Sequence, residues 1–399
     1  MRDLDRLRNP YTPNAGAQPT TLVGRNPQLD SFDLLLGRLK RGRTEQSMVI
    51  RGLRGVGKTV LLGKFREKAL ATDWVVLEME VQKHDDTEFR RTIAAKARTA
   101  LLELSPRARW TDRAKKAAGV LKSFSVSVDP TGKIEFGMDV DRAEGLGDHG
   151  DLALDLTDLL LSLGDAAQAI DRGVVLLLDE VQFLSKQQLE ALIAAIHKTV
   201  QRSYPITLVG AGLPQIAELA GDAKSYAERL FQFPTIGNLD EADAREALTG
   251  PAQIEDVTFE DSALDLAMKM TGRYPYFLQE LGYAAWDIAE GSSITRNDVD
   301  SAHEVYVSKL DESFFRVRFD RCTERQKQYL RAMAELGPGK QKAQDVATML
   351  GKQSNQVAPF RSELINMGLL YTPDHGYADF TVPHFDQYMK RVMPDLIMM

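Results

Sequence analysis

The residues with the clearest chemistry lie in one run, Gly52-Leu53-Arg54-Gly55-Val56-Gly57-Lys58-Thr59, followed by Val60. The run fits G-x-x-x-x-G-K-[ST], in which glycines let the backbone wrap so closely that its N–H groups face phosphate oxygens. A helix starting at Lys58 directs its positive end at the same anion, Lys58 reaches the β and γ phosphates, and the Thr59 hydroxyl suits Mg²⁺. A second pair, Asp179-Glu180, closes the apolar run Val174-Val175-Leu176-Leu177-Leu178. An aspartate at the carboxyl end of a buried strand suits the Mg²⁺ shell, so Thr59 and Asp179 are the candidate metal ligands. The glutamate beside it suits polarising a water that attacks the γ-phosphate. Lys58, Asp179 and Glu180 are thus candidate catalytic residues of an ATPase that uses ATP and Mg²⁺. Competing chemistries are weak: the six histidines have no metal-ligand spacing, no G-x-S-x-G elbow exists, and Cys322 stands alone.

For these motifs to meet beside one phosphate, the chain between them must return to the same sheet edge. Its pattern allows that. Strand 48–51, the glycine loop, helix 58–71, strand 74–81 and helix 86–104 predict an α/β fold with a largely parallel sheet. Phe124, Val126 and Val128, then Ile134, Phe136, Met138 and Val140, alternate around a Pro-Gly turn and predict a β-hairpin within an insertion over about 105–150. Helix 152–170, strand 174–178, helix 186–202 and strand 206–210 then resume the alternation. From Asp240 the strands are expected to cease, with helices at 241–248, 262–270, 275–290 and 297–310 and breakers that include Pro251. The end reads as helices 324–336, 343–350 and one finishing at Met367, then strands 369–371 and 378–382: the parts of a winged helix-turn-helix. The expected organisation is an irregular arm, 1–20, a P-loop ATPase core, 21–238, a helical lid, 239–315, and a winged domain, 318–399.

Composition narrows the partners. The 399 residues are 43% hydrophobic and 27% charged, ordinary for folded domains, with a net charge of −7. Such a chain does not attract nucleic acid or anionic membrane as a whole, so any such binding must be local. From Arg318 onward eleven basic residues face nine acidic ones, so the end is mildly positive. One cysteine, a charged beginning and no long apolar segment lead us to expect a soluble, cytoplasmic protein with no membrane contact.

With Leu22-Val23-Gly24-Arg25 ahead of the first helix, the P-loop, Asp179-Glu180, a helical unit and a terminal winged unit, the chain resembles the AAA+ and STAND-type ATPases. The closest grouping is the bacterial ATP-binding proteins related to archaeal and eukaryotic origin-recognition ATPases. The resemblance implies five parallel strands, a helical lid over the nucleotide, and a winged helix that in initiators binds duplex DNA. It places Val23 and Gly24 in the adenine pocket. Gly272-Arg273-Tyr274-Pro275 matches both the initiator segment with a sensor-2 arginine, here Arg273, and the STAND turn that sets a proline, here Pro275, against adenine. Arg229 falls where AAA+ proteins carry an arginine finger directed at a neighbouring subunit, which implies self-assembly; its other reading is an edge arginine paired with Glu228 or Asp240. The sequence departs from the pattern after strand 206–210. A polar sensor-1 residue is expected there, and Gly210-Ala211-Gly212-Leu213-Pro214 stands instead, which implies slow hydrolysis.

Lys340, Lys352, Asn355, Gln356 and Arg361 are the candidate DNA contacts of the winged unit, the amides suiting base edges and the cations phosphates. Pro359 is expected near the start of the reading helix. Asp374 at the wing tip works against phosphate, so duplex binding should be modest and salt-sensitive. Two functions follow: an ATP-driven, DNA-binding switch, and a regulatory ATPase whose winged helix and hairpin hold protein partners.

Overall fold

The computed structural model describes residues 4–83, 85–105, 111–126 and 140–397. After a short 3-10 turn, Arg6–Arg8, and an extended arm come α1 (Asn26–Lys40), β1 (Ser47–Arg51), α2 (Lys58–Ala71), β2 (Trp74–Glu80), α3 (Asp86–Leu104), α4 (Asp112–Val126) and α5 (Leu152–Gln168). Then follow β3 (Gly173–Asp179), α6 (Lys186–Gln201), β4 (Ile206–Gly212), α7 (Ile216–Ala223), α8 (Ala227–Leu230) and β5 (Phe231–Gln232). The five strands form one parallel sheet in the order β2-β3-β4-β1-β5. Its register brings Asp179 opposite Glu80 and Arg51 opposite Gly212, so the carboxyl ends of β1 to β4 form one rim.

The sheet works because its apolar strands bury both faces, and side chains alternate between them. Val175 and Leu177 point to the side of α1 and α2, with Phe32 stacked on Phe65 at 4.4 Å between ring centres. Val174, Leu176 and Leu178 point to the other side, among α3, α5 and α6. Local signals start these helices: Asp85 caps α3, Asp151 caps α5, and Ser185 with Gln188 forms a capping box on α6.

The remainder runs α9 (Glu241–Ile254), β6 (Thr258–Phe259), α10 (Asp261–Thr271), α11 (Pro275–Ile288), β7 (Ser293–Ile294) and α12 (Arg296–Lys309). A π-helical turn, Leu310–Phe315, continues α12 into α13 (Arg316–Phe319). The C-terminal unit holds α14 (Glu324–Glu335), β8 (Gln341–Lys342), α15 (Ala343–Met349), α16 (Ser354–Asn366), β9 (Leu370–Tyr371), β10 (Tyr377–Phe380) and α17 (Phe385–Val392). Its three strands pair antiparallel in the order β8-β10-β9. Helices α14, α15 and α16 and strands β9 and β10 overlap the segments read from the sequence, and β8 was not among them.

Several expectations need correction. Residues 124–126, assigned above to a hairpin strand, end α4, because Ala114, Ala117, Ala118, Leu121 and Phe124 make a buried helical stripe. The rest of that hairpin, residues 127–139, lies outside the described residues. Pro251 does not break its helix: it sits buried inside α9, where packing outweighs propensity. Pro359 lies well inside α16 rather than near its start. Strands do not cease at Asp240, since β6 and β7 form a short parallel pair. Helix α17 had no counterpart in the reading.

One apolar cluster joins the sheet face under α1 and α2 to the helices after Asp240 and to the C-terminal unit. Phe277 meets Phe314 edge-on at 6.0 Å, Phe315 meets Phe385 at 5.8 Å, and Phe315 stacks on Tyr388 at 5.3 Å. The N-terminal arm is pinned to the same cluster. Tyr11 is 1% exposed, packs edge-on against Trp286, and donates its hydroxyl to the Leu248 carbonyl. Tyr11→Ala is therefore expected to cost about 3–5 kcal/mol of stability and to free the arm, seen as faster proteolysis before Thr21 together with a lower melting temperature.

Candidate nucleotide site

The glycine loop joins β1 to α2 at the sheet rim, and α2 begins at Lys58 itself. Gly55 has φ of +86°, and a Cβ there would stand 3.1 Å from the Tyr274 ring and 3.2 Å from the Tyr276 Cβ. Only glycine meets both demands. Lys58 is 6% exposed and curls back, its Nζ donating to the Gly52 and Leu53 carbonyls at 3.0 and 2.9 Å. Burial pushes its pKa down to about 8, opposed by the negative charges of Glu180 and Asp179.

The two motifs meet as the sequence requires. Thr59 Oγ1 donates to Asp179 Oδ2 at 2.6 Å across the sheet rim. Burial raises the Asp179 pKa, while the Thr59 hydroxyl and the Glu180 N–H, both donating to it, oppose the rise. Among the described residues no group of three His, Cys, Asp or Glu side chains is placed to hold a metal alone. Thr59 and Asp179 fit a cation shared with phosphate oxygens, whose hard oxygen shell Mg²⁺ prefers. Glu180 adopts a left-handed conformation, φ +54°, rare for a non-glycine residue and frequent at working sites. One carboxylate oxygen lies 3.3 Å from Arg54 Nη1, and the other accepts from Gln182 Nε2.

Gln182, in the turn after Glu180, lies beside the end of β4, where the sequence has no polar residue. Its Oε1 accepts the Leu213 N–H at 3.0 Å, so one amide ties the end of β4 to Glu180. Reading motif by motif missed it, because it belongs to neither motif and follows Glu180 by two residues.

A cavity of about 650 Å³ opens at this rim, within the size range of ligand pockets. Val23, Arg54, Gly55, Val56, Gly57, Lys58, Thr59, Val60, Glu180 and Pro275 line it as anticipated. Gly52, Leu53 and Asp179 do not line it but are hydrogen-bonded to Lys58 and Thr59, which do. Gly24 does not line it either; at φ +67° its Cβ would strike Asp243 and Leu239 at 2.8 Å, so its task is to let the arm pass. Arg25 is nearly buried and donates to the carbonyls of Val56 and Gly237 at 3.0 and 2.9 Å, bracing the loop from behind.

Arg273 is a correction. It is exposed, has φ of +60° and does not line the cavity, because Gly272 and Arg273 form a left-handed turn that carries its side chain away. Pro275 does line it, as the other pattern implies. Arg229 is exposed on α8 at the opposite end of the sheet, its carbonyl accepting from Gln46 Nε2 at 3.0 Å, and no ion pair forms to it among the described residues. The expected pairing with Glu228 or Asp240 is therefore not seen.

The remaining lining was not anticipated. The arm contributes Thr12 to Ala17, with Gly16 placed so that a Cβ would lie 3.7 Å from the Thr59 methyl. Arg318 and Arg321 come from α13 and the turn after it, and Met367, Gly368 and Leu369 from the C-terminal unit. That unit is bonded to the loop: the Arg54 N–H donates to the Thr381 carbonyl at 3.1 Å and Arg54 Nε to the Gly368 carbonyl at 3.3 Å. Lys83 reaches the Asn366 carbonyl at 2.6 Å.

The candidate DNA contacts lie apart from this cavity and do not form one free basic face. Lys340 pairs with Asp374 at 2.6 Å, and Arg361 donates to the Tyr377 carbonyl at 2.7 Å. Gln356 caps its own helix by accepting the Gln353 N–H, and the side chains of exposed Asn355 and half-exposed Lys352 make no hydrogen bond or ion pair among the described residues.

Comparison with known proteins bears on the core. A family model described as AAA ATPase domain matches residues 21–209, and one described as a domain of unknown function, DUF8462, matches residues 312–389. No curated protein matches the sequence. Among solved structures the chain is similar to the Walker-type ATPase of Pyrococcus abyssi, with a TM-score of 0.54, 14% identity, and 94% of this chain and 97% of that one covered. It also aligns with the RuvB Holliday junction branch migration motor of Thermotoga maritima, at a TM-score of 0.46, 16% identity and coverage of 94% and 98%. Orc1 of Aeropyrum pernix, in complex with DNA, aligns at a TM-score of 0.46 and 16% identity, with 94% of each chain covered. At such identities the likeness concerns the fold.

Because Lys58 must be protonated to attract phosphate, and its pKa lies near 8, nucleotide affinity should hold at neutral pH and weaken as pH rises through that value. Titration of the full chain with ATP is expected to show roughly tenfold weaker binding at pH 9 than at pH 7. An unchanged affinity at pH 9 would remove the cationic role of Lys58.

Proposed function

We propose that this chain, whose residues 21–209 match the AAA ATPase domain family model, is an ATP-binding, slowly hydrolysing switch whose output is the C-terminal unit. One observation carries the reading: Arg54, in the phosphate loop, bonds at once to Glu180 and to the C-terminal unit at Gly368 and Thr381. Anything that rearranges the loop tip therefore acts on a catalytic carboxylate and on the output together.

Within this reading Lys58 and the loop amides bind the β and γ phosphates, and Thr59 with Asp179 would hold Mg²⁺, which supplies charge neutralisation when bound. Glu180 accepts a proton from the attacking water once its carboxylate leaves Arg54. The pairing seen here favours a resting enzyme, and the apolar end of β4 leaves water orientation to Gln182 and Glu180 alone. Hydrolysis is then slow, and nucleotide binding rather than turnover sets the state of the molecule.

The output is read first as duplex DNA held by the exposed first turns of α16, with Asn355, Gln356 and Lys352 at base edges and phosphates. A second reading, a protein partner on the same unit, is favoured by the neutralised wing, where Asp374 holds Lys340 and the Tyr377 carbonyl holds Arg361.

Three measurements test these statements. Steady turnover is expected well under the enzyme median of about 10 s⁻¹, and a rate above it would contradict the switch. Glu180→Gln should keep ATP binding while abolishing hydrolysis; normal turnover in that variant would remove Glu180 from its role. Duplex titration with and without ATP should give weak binding near 50 mM salt, lost by about 200 mM; no binding at the lower salt decides for a protein partner.

A further inference from the structure

Arg318 has an unusual position for a charged side chain. It lies on α13, just after the π-helical turn, and lines the nucleotide cavity together with Arg54 and Arg321. Its Nη1 donates to the Phe314 carbonyl, and its guanidinium carbon lies 4.4 Å from the centre of the Phe314 ring. Phe314 in turn stacks on Tyr276 at 4.4 Å, and the Tyr276 N–H donates to the Gly55 carbonyl at 3.2 Å. The side chain is thus built into the cavity wall by packing that reaches the glycine loop. No carboxylate pairs with it among the described residues. Burial, with a further push from Arg54, lowers its pKa to about 10. A desolvated cation beside another cation is costly unless an anion completes the site, and no described residue supplies one.

Which part of a nucleotide would complete it follows from neighbours. Arg54 Nη1 is 3.3 Å from Glu180, the carboxylate proposed above to take the water's proton, so the Arg54 and Arg318 side of the cavity is the end where the last phosphate of a triphosphate would lie. Val23 and Pro275 line the cavity too, and Arg273, the expected phosphate contact from the lid, points away. We propose that Arg318 binds the terminal phosphate and so distinguishes a nucleoside triphosphate from a diphosphate, with Arg321 as a second, more exposed cation.

This rests on the ATP-switch reading and adds to it the residue that senses the nucleotide state. Arg318 is continuous with α12 through the π turn and stands five residues ahead of Thr323, which caps α14, the first helix of the C-terminal unit. A phosphate that holds Arg318 therefore fixes the root of the output unit. π-Helical turns often mark such working positions.

The test compares ATP and ADP binding to the full chain by calorimetry in the wild type, Arg318→Met and Arg318→Lys. The Met variant keeps the apolar stem over Phe314 and removes the charge; the Lys variant keeps a charge and loses the planar fork. We expect ATP affinity to fall about 10- to 100-fold in Arg318→Met with ADP affinity within about threefold, and an intermediate loss for ATP in Arg318→Lys. ATP affinity unchanged in Arg318→Met, or ATP and ADP weakened alike in both variants, overturns the proposal. A wild type that binds both nucleotides with neutral variants overturns Arg318 alone, whereas a wild type that binds neither overturns the ATP reading and this proposal with it.

Discussion

The structure turns on one peptide, Arg54-Gly55, at the tip of the phosphate loop. The Arg54 N–H donates to Thr381, its carbonyl accepts from the Tyr274 hydroxyl, and the Gly55 carbonyl accepts from the Tyr276 N–H. Each bond is worth only about 1 kcal/mol net, yet together they tie the loop to two other parts of the chain. Tyr274 and Tyr276 belong to the start of α11, Thr381 to the C-terminal unit. A loop so fastened cannot shift alone. Gly55, held at φ +86° between two tyrosines, is the residue whose backbone permits the fastening.

Charge gives this arrangement its direction. The chain is acidic overall, yet the cavity gathers Arg25, Arg54, Lys58, Arg318 and Arg321 against Glu80 and Glu180. Enclosing walls of low dielectric strengthen the field of those cations, so a small anionic ligand is drawn in although the molecule as a whole repels anions. The lowered pKa values of Lys58 and Arg318 share one cause, burial of a cation in a wall built to meet negative charge. By contrast, the C-terminal unit, mildly positive in the sequence, spends Lys340 on Asp374 and Arg361 on the Tyr377 carbonyl. Net charge there said little about free charge.

The sequence was most informative where chemistry and periodicity coincide. The phosphate loop, Asp179-Glu180 and the strands carrying them were legible because spacing and apolar runs are local, and α2 and α3 fall where their patterns placed them. What stayed hidden is long-range. Arg318 and Gly368 reach the loop from more than two hundred residues away, and no local pattern distinguishes a cavity arginine from a surface one. Arg273 misled because a turn of two left-handed residues, Gly272 and Arg273, reverses the direction of its side chain. In the hairpin region, alternation around Phe124 competed with a helical stripe of alanines, and the stripe governs residues up to Val126.

If nucleotide at the loop sets the seat of the C-terminal unit, hydrogen exchange of the full chain will report it. Amides to follow are those of Arg54, which donates to Thr381, and Thr381, which donates to Leu369. Saturating ATP, compared with ADP, is expected to change protection at both positions together, and Lys58→Ala to remove the difference. Identical protection at both amides in ATP and ADP, with binding of each nucleotide verified, would contradict it.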